Sequence, residues 1–224
     1  MVEEKLVFMN EKLKIGIIGT HEVGKTTLGH LLTGYLKAMD YSVNLVHESA
    51  RLSPFGLLDK TTMESEVWII NQQINNELTT AKYSDILVCD RTAMDTLAYA
   101  KHIMENNKSN KDKEMYELLN RIVDSNIKTF DIFIYLPIGE KIIKRRKKEH
   151  DLKFREKIDS YLMEIIKEKG LDNVYKIKNK SAHGRVEEII NVCGLDKEAF
   201  KLVSSNENSF NNINNARQRI IGAR

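Results

Sequence analysis

Short, nearly continuous apolar runs alternate along the chain with longer segments in which apolar residues recur every three or four positions. The runs read as strands buried on both faces, and the longer segments as helices packed against them. Leu13–Ile18 is the first run, and the helix expected from Lys25 to about Met39 carries Leu28, Leu31, Leu32 and Leu36 on one side. Ser42–His47 is the second strand, ending at Glu48-Ser49-Ala50-Arg51; residues 52–62, with Pro54 and Gly56, are irregular. The spacing predicts a long helix from about Met63 to Lys82. Met63, Val67, Ile70, Ile74 and Leu78 form its expected buried stripe, with Trp68, Asn71, Gln72 and Gln73 beside or opposite it. A third strand, Asp85–Cys89, runs into Asp90-Arg91-Thr92, followed by a helix over about Met94–Met104, an exposed polar loop over Asn106–Lys113 and another helix to about Asp124. Phe130–Leu136 is the fourth strand, stopped by Pro137. A basic helix from about Gly139 breaks at Glu149-His150-Asp151 and gives way to one ending near Lys169, with Gly170 as its C-cap. Val174–Lys178 is a fifth strand and Arg185–Cys193 a last amphipathic helix.

Strands alternating with helices require parallel pairing and right-handed crossovers, so the expected fold is α/β: three layers around a five-stranded parallel sheet. The 224 residues suit one such domain over 1–203, with a helical lid at about 141–155. The Asn- and Ser-rich tail 204–224 reads as a flexible segment or as an added helix near Ala216–Ile221. Hydrophobic content of 42% and charged content of 30% are those of a globular domain with a full core, and a net charge of 35 − 32 = +3 argues against a nucleic-acid coat protein. Apolar runs fall well short of the ~18 residues that span a bilayer. Met1-Val2-Glu3-Glu4-Lys5 lacks a signal-peptide pattern, and the expectation is a cytoplasmic protein with no membrane partner. Cys89 and Cys193 lie far apart and read as buried reduced thiols.

The turn after the first strand carries the chemistry. Gly19-Thr20-His21-Glu22-Val23-Gly24-Lys25-Thr26 is G-x-x-x-x-G-K-T between a buried strand and a helix, the setting in which backbone N–H groups cradle phosphate oxygens. Gly19, His21, Glu22, Val23, Gly24, Lys25, Thr26 and Thr27 are therefore expected to hold ATP, with Lys25 at the β- and γ-phosphates and Thr26 offering its hydroxyl to Mg²⁺. Asp90, closing an apolar strand, is the expected second Mg²⁺ residue, and Arg91 beside it would face the phosphates. In a parallel α/β sheet ligands gather at the carboxyl ends of the strands, which puts Glu48 and Arg51 at the same site. Glu48 there is either a base for an acceptor hydroxyl or one half of a Glu–Arg pair. Arg51 is a candidate acceptor contact through its forked guanidinium. The basic segment 141–155 is either a solvated helix face or a flap lending Arg145, Arg146 or Arg155 to the transferring phosphoryl group. Trp68, Gln72 and Gln73 lie on a helix that could wall an acceptor pocket, and His183 stands near a candidate nucleobase site.

Three stretches, Gly19–Thr27, His47–Arg51 and Asp90–Tyr99, resemble the small P-loop nucleoside and nucleotide kinases, and within them the AAA-type ATPase/kinase group related to ribosylnicotinamide kinase and to deoxynucleoside and thymidylate kinases. The resemblance covers roughly residues 13 to 190. It implies a P-loop NTPase fold, ATP and Mg²⁺ as donor and cofactor, and a γ-phosphoryl transfer to a nucleoside, nucleotide or related small molecule. It also implies Glu48 as general base, Asp90 and Arg91 at the metal and phosphates, and the Gln72–Gln73 helix, with Asp95, at the acceptor. A homodimer is one assembly compatible with it. Pro137-Ile138-Gly139-Glu140 stands where ribosylnicotinamide kinases carry an Asp-Gly-x-Arg turn, so the acceptor is left open. Two alternatives share the loop: a polynucleotide 5′-hydroxyl kinase, whose acceptor is a nucleic-acid end, and a regulatory ATPase with no acceptor.

Overall fold

Five parallel strands form one sheet in the order β2-β3-β1-β4-β5: β1 is Leu13–Ile18, β2 Val43–Val46, β3 Ile86–Asp90, β4 Ile132–Tyr135 and β5 Val174–Lys176. The structure is a computed structural model that describes residues 12–56, 58–139, 149–179 and 181–205. Side chains alternate across the sheet with the strand period of two. Leu13, Ile15, Ile17, Ile86, Val88 and Ile134 point to one face, where α1 (Lys25–Ala38) and α6 (Ala182–Val192) cover them. Ile18, Leu87, Cys89, Phe133 and Tyr135 point to the other, under α2 (Met63–Thr80), α3 (Ala93–Asn107), α4 (Asn110–Asn126) and α5 (Glu149–Glu168). Burial on both faces is why the central strands read as nearly continuous apolar runs. Both cysteines are buried and free. No helix among the described residues is long and apolar enough to cross a membrane.

Three expectations change. First, α2 is rotated about its axis. Its buried face is Met63, Glu66, Ile70, Gln73 and Glu77, with the last four between 0 and 3% exposed, whereas Leu78 is 66% exposed. The 3–4 spacing survives, but polar side chains occupy three of its inward positions because each finds a partner or a cavity there. The helix starts where it should: Thr62 Oγ1 accepts from Ser65 N (3.3 Å) and Ser65 Oγ from Thr62 N (3.0 Å), a reciprocal cap. Second, the loop expected over Asn106–Lys113 shrinks to two residues. Lys108, in the left-handed region (φ 51°), closes α3, and Ser109 caps α4 at once; the polar residues lie on exposed helix faces. Third, Glu149-His150-Asp151, expected as a break between two helices, are themselves helical. These residues are the first turn of a continuous helix, α5, that runs through Arg155 to Glu168. The remainder of the expected lid, including Arg145 and Arg146, lies outside the described residues. A helix over 197–205 runs past residue 204, and the rest of the tail also lies outside them.

The order β2-β3-β1 sets the carboxyl ends of three neighbouring strands side by side. Glu48, Asp90 and the 19–26 loop leave the sheet there together.

Candidate active site

The loop after β1 is held open by backbone conformations that only glycine takes readily. Gly19 has φ 141° and Gly24, at the start of α1, φ 100°. A methyl group on Gly19 would stand 2.5 Å from the carbonyl oxygen of Leu136, so strand β4 leaves no room for it. Gly19→Ala should therefore lower stability by about 1–3 kcal/mol from the backbone alone, with the clash adding to it. Urea unfolding alongside Gly34→Ala, whose added carbon meets nothing within 4 Å, isolates the effect; equal midpoints for the two variants would refute it.

Inside the loop, Lys25 is buried and folded back: its Nζ donates to the carbonyls of Gly19 and Thr20, both at 2.6 Å. Asp95 of α3 holds the loop from behind. One carboxylate oxygen accepts from Gly19 N (2.9 Å), and the other accepts from Thr92 N (2.9 Å) and the Thr92 hydroxyl (3.1 Å). His21 contributes more than backbone, since its Nδ1 lies 3.0 Å from the Tyr99 hydroxyl and its ring packs near Phe154. Glu22, in the left-handed region (φ 62°), pairs with Arg155, which α5 buries completely; Val23 is buried in the core and Thr27 is exposed. The Thr26 hydroxyl accepts from Arg51 Nη2 at 3.0 Å.

Glu48 sits between two arginines. Arg91 Nε pairs with one carboxylate oxygen, and Arg51 Nε donates to the other at 2.8 Å. Arg91 is itself in the left-handed region (φ 77°), an uncommon conformation for a bulky residue, and its guanidinium lies 5.6 Å from the centre of the Tyr99 ring. Burial alone would raise the Glu48 carboxyl; Arg91, Arg51 and Lys25 outweigh it and hold it at about 2. The Glu–Arg pair is thus formed, and it keeps Glu48 ionised. Asp90 is 1% exposed, and its Oδ1 has no hydrogen-bond partner among the described residues. An orphaned carboxylate oxygen at this strand end fits an oxygen-ligated divalent ion such as Mg²⁺. Arg185 lies close to Gly24, with Nη1 3.5 Å from where a side chain at 24 would begin. Sequence reasoning misses it, because a lone arginine entering a helix carries no signal.

Burial, and then Arg91, lower the Lys25 ammonium to about 7, against the opposing pull of Asp95, Glu48 and Asp90. Above pH 7 the empty site holds Lys25 neutral, and triphosphate oxygens would restore its charge, so binding takes up a proton there. ATP affinity should fall by up to about tenfold per pH unit between 7 and 9. Calorimetry in two buffers of unlike ionisation enthalpy reads the uptake; none at pH 8 would contradict it. For folding alone the sign is opposite. The unfolded chain keeps this proton up to 10.5 and the folded chain loses it near 7, so this group adds stability as pH rises between them.

A cavity of about 60 Å³ opens beside the cluster, lined by Glu48, Ala50, Leu58, Thr61, Glu66, Ile69, Arg91, Thr96 and Tyr99. It brings Glu48 and Arg91 together but does not include Trp68, Gln72, Gln73 or Asp95. Trp68 is half-buried. Gln72 donates to Asn76 (3.0 Å). Gln73 is a buried strut: it accepts from Ser49 Oγ (3.0 Å) and donates to Glu77 (3.0 Å) and to the Arg91 carbonyl (3.2 Å), tying the ends of β2 and β3 together. Arg51 touches Glu48 and Thr26 and does not line the cavity. His183 lies against Tyr35 (3.1 Å to its hydroxyl) and stacks on Phe200. A larger cavity, about 720 Å³, lies at the opposite, amino-terminal edge of the sheet by Leu13, Asp85 and Asp131, away from every one of these groups.

Among solved structures, the chain is similar to deoxyadenosine kinase from M. mycoides, with a TM-score of 0.58, 22% identity, and coverage of 80% of this chain and 97% of that one. It is similar to the NadR protein in complex with NAD and AMP-PNP (TM-score 0.61, 19% identity), matching 83% of this chain and half of that one. Thymidylate kinase from Ehrlichia chaffeensis (TM-score 0.53, 20% identity) matches over 81% of this chain and 98% of that one. None of the curated proteins compared matches the chain. The shared architecture is the P-loop fold of nucleoside and nucleotide kinases. A family model described as an AAA domain matches residues 14–185, from the first strand to the start of the last sheet-covering helix, and the chain belongs to that family.

Proposed function

We propose that this chain is an ATP-dependent phosphotransferase that passes the γ-phosphoryl group to a nucleoside, a nucleotide or a related small molecule. The observation that carries the reading is the cavity lined by Glu48 and Arg91, a compartment separate from the phosphate loop. A nucleotide switch has no use for such a compartment, and a kinase needs one for its acceptor. The proteins similar in fold, by their names, act on or bind nucleosides and nucleotides, which supports the same class.

In this reading the loop N–H groups and Lys25 bind the triphosphate. Thr26 and Asp90 hold Mg²⁺, which supplies charge neutralisation at the phosphate oxygens. Arriving phosphates compete for Arg51 and Arg91, and their departure from Glu48 removes what depresses its carboxyl. The acceptor hydroxyl then lies between Glu48 and the γ-phosphorus. Its oxygen bonds to phosphorus as the bond to the β,γ-bridging oxygen breaks; ADP leaves with that electron pair and the hydroxyl proton passes to Glu48. Arg155, already beside the loop through Glu22, and Arg145 and Arg146 are the proposed stabilisers of the charge on the moving group. Glu48, Arg91 and the cavity wall face the acceptor.

Labelled ATP offered with a panel of nucleosides, nucleotides, nicotinamide riboside and 5′-hydroxyl oligonucleotides tests the proposal. Transfer to a small acceptor supports it. Label only on oligonucleotide ends would make the acceptor a strand, and hydrolysis without any labelled acceptor would sink the kinase reading.

A further inference from the structure

Glu66 is a carboxyl that the mechanism above does not use. It lines the same cavity as Glu48 and Arg91 and is 3% exposed. Thr61 donates its hydroxyl to one carboxyl oxygen; the other takes no hydrogen bond from the described residues, and no cation among them pairs with it. Arg91, the nearest guanidinium in the cavity, is already committed to Glu48. A buried carboxylate without a cation is costly; it takes up a proton or gains its partner from a ligand. Burial pushes this carboxyl up to about 7, against Thr61 and Arg91, as expected of a group still lacking that partner.

We propose that Glu66 is the acceptor-selecting residue: it receives a hydrogen-bond donor, hydroxyl or amine, from an acceptor that carries no phosphate. The inference rests on the kinase reading and narrows its acceptor from nucleoside or nucleotide to the nucleoside class. The wall supports the sign. Glu48 and Glu66 face the cavity with Arg91 as the lining cation; Arg91 is engaged by Glu48 in the empty site and by the donor phosphates in the filled one, so a doubly charged acceptor phosphate would meet ionised Glu66 with no free cation beside it. At about 60 Å³ the space takes roughly four to six water-sized groups, enough for the hydroxyl-bearing edge of a sugar; it is charge, not size, that disfavours a phosphate there. Thr61 and Thr96 supply further hydroxyls beside Glu66, and Ile69, Ala50 and Leu58 give the apolar sides.

The test compares nucleosides (four ribo, four deoxyribo, and nicotinamide riboside) with their 5′-monophosphates as acceptors of labelled phosphate, in the wild type and in Glu66→Gln. ATP affinity is measured in parallel by calorimetry. The wild type should favour a nucleoside over its monophosphate. Glu66→Gln keeps the shape and loses the charge. It should raise the nucleoside KM about 10- to 100-fold, leave kcat and ATP affinity within a few-fold, and shrink the preference over the monophosphate. A wild type that prefers monophosphates, or a Glu66→Gln enzyme with unchanged KM and selectivity, overturns the inference and leaves the kinase reading standing. Loss of ATP binding in Glu66→Gln also overturns it, since Glu66 would then be a structural group. No label on any acceptor, with ATP still bound, removes the kinase reading and this inference with it.

Discussion

Replacing Lys25 by Met should reduce phosphoryl transfer by about 10³-fold or more while the protein stays folded. Lys25 is the one ammonium seated inside the 19–26 loop, and its Nζ lies on the Gly19 and Thr20 carbonyls, where it can turn towards a triphosphate without moving the backbone. Its burial, with only 5% of the residue exposed, makes its charge expensive in the empty site and strong against a phosphate oxygen in the filled one. The same burial predicts a mild effect on stability. Met fills the volume and removes a desolvated ammonium, but leaves two carbonyls short of a donor, each costing about 1–3 kcal/mol if it stays dry. These effects oppose one another, so the melting temperature should move by a few degrees at most, read by calorimetry beside a single-turnover assay. A Lys25→Met protein that retains turnover would show that the loop does not hold the transferring triphosphate. One that unfolds would show that Lys25 is a structural group.

The part of this site that sequence alone discloses is the part set by strand ends. Leu13–Ile18 is apolar apart from Lys14, so the glycine-rich turn after it reads as the exit from the sheet, and the same holds for Asp90 after Ile86–Cys89. Those exits have to face one way in a parallel sheet, so the strand pattern by itself makes Gly19, Glu48 and Asp90 neighbours. The cavity wall is of a different kind. Part of it, Glu66 and Ile69, comes from α2, where Glu66, Gln73 and Glu77 replace apolar residues on the inward face, and a period search that counts only apolar residues settles one position off. Taking Met63, Glu66, Ile70, Gln73 and Glu77 as one stripe at 3–4 spacing finds them, since buried polar groups at that rhythm demand partners. The family resemblance attaches Asp95 to the acceptor. Its oxygens are spent on Gly19 and Thr92, a use that depends on how α3 meets the loop in space and leaves no local trace in the chain.

Glu48→Gln should lower kcat by about 10²- to 10⁴-fold, the range for loss of a positioned base, and change ATP binding in the opposite direction. The carboxylate now holds both Arg91 and Arg51, and Arg51 in turn holds the Thr26 hydroxyl, so in the empty protein one negative charge restrains the groups that the phosphates need. Glutamine keeps the shape and can accept one of these bonds, but its neutral amide cannot compete with a triphosphate for two guanidinium groups. The arginines are released, and ATP should bind as tightly as in the wild type or up to about tenfold more tightly, as a charge-assisted bond no longer has to be broken first. A purely structural Glu48 predicts something else. Removing the anion would leave buried Arg91 unpaired, cost about 3–5 kcal/mol of stability, and weaken nucleotide binding together with turnover. The two roles therefore separate on one variant, with calorimetric ATP affinity and single-turnover transfer measured on the same preparation. Only a residue that acts as base when the arginines leave it gives slower chemistry with undiminished donor binding.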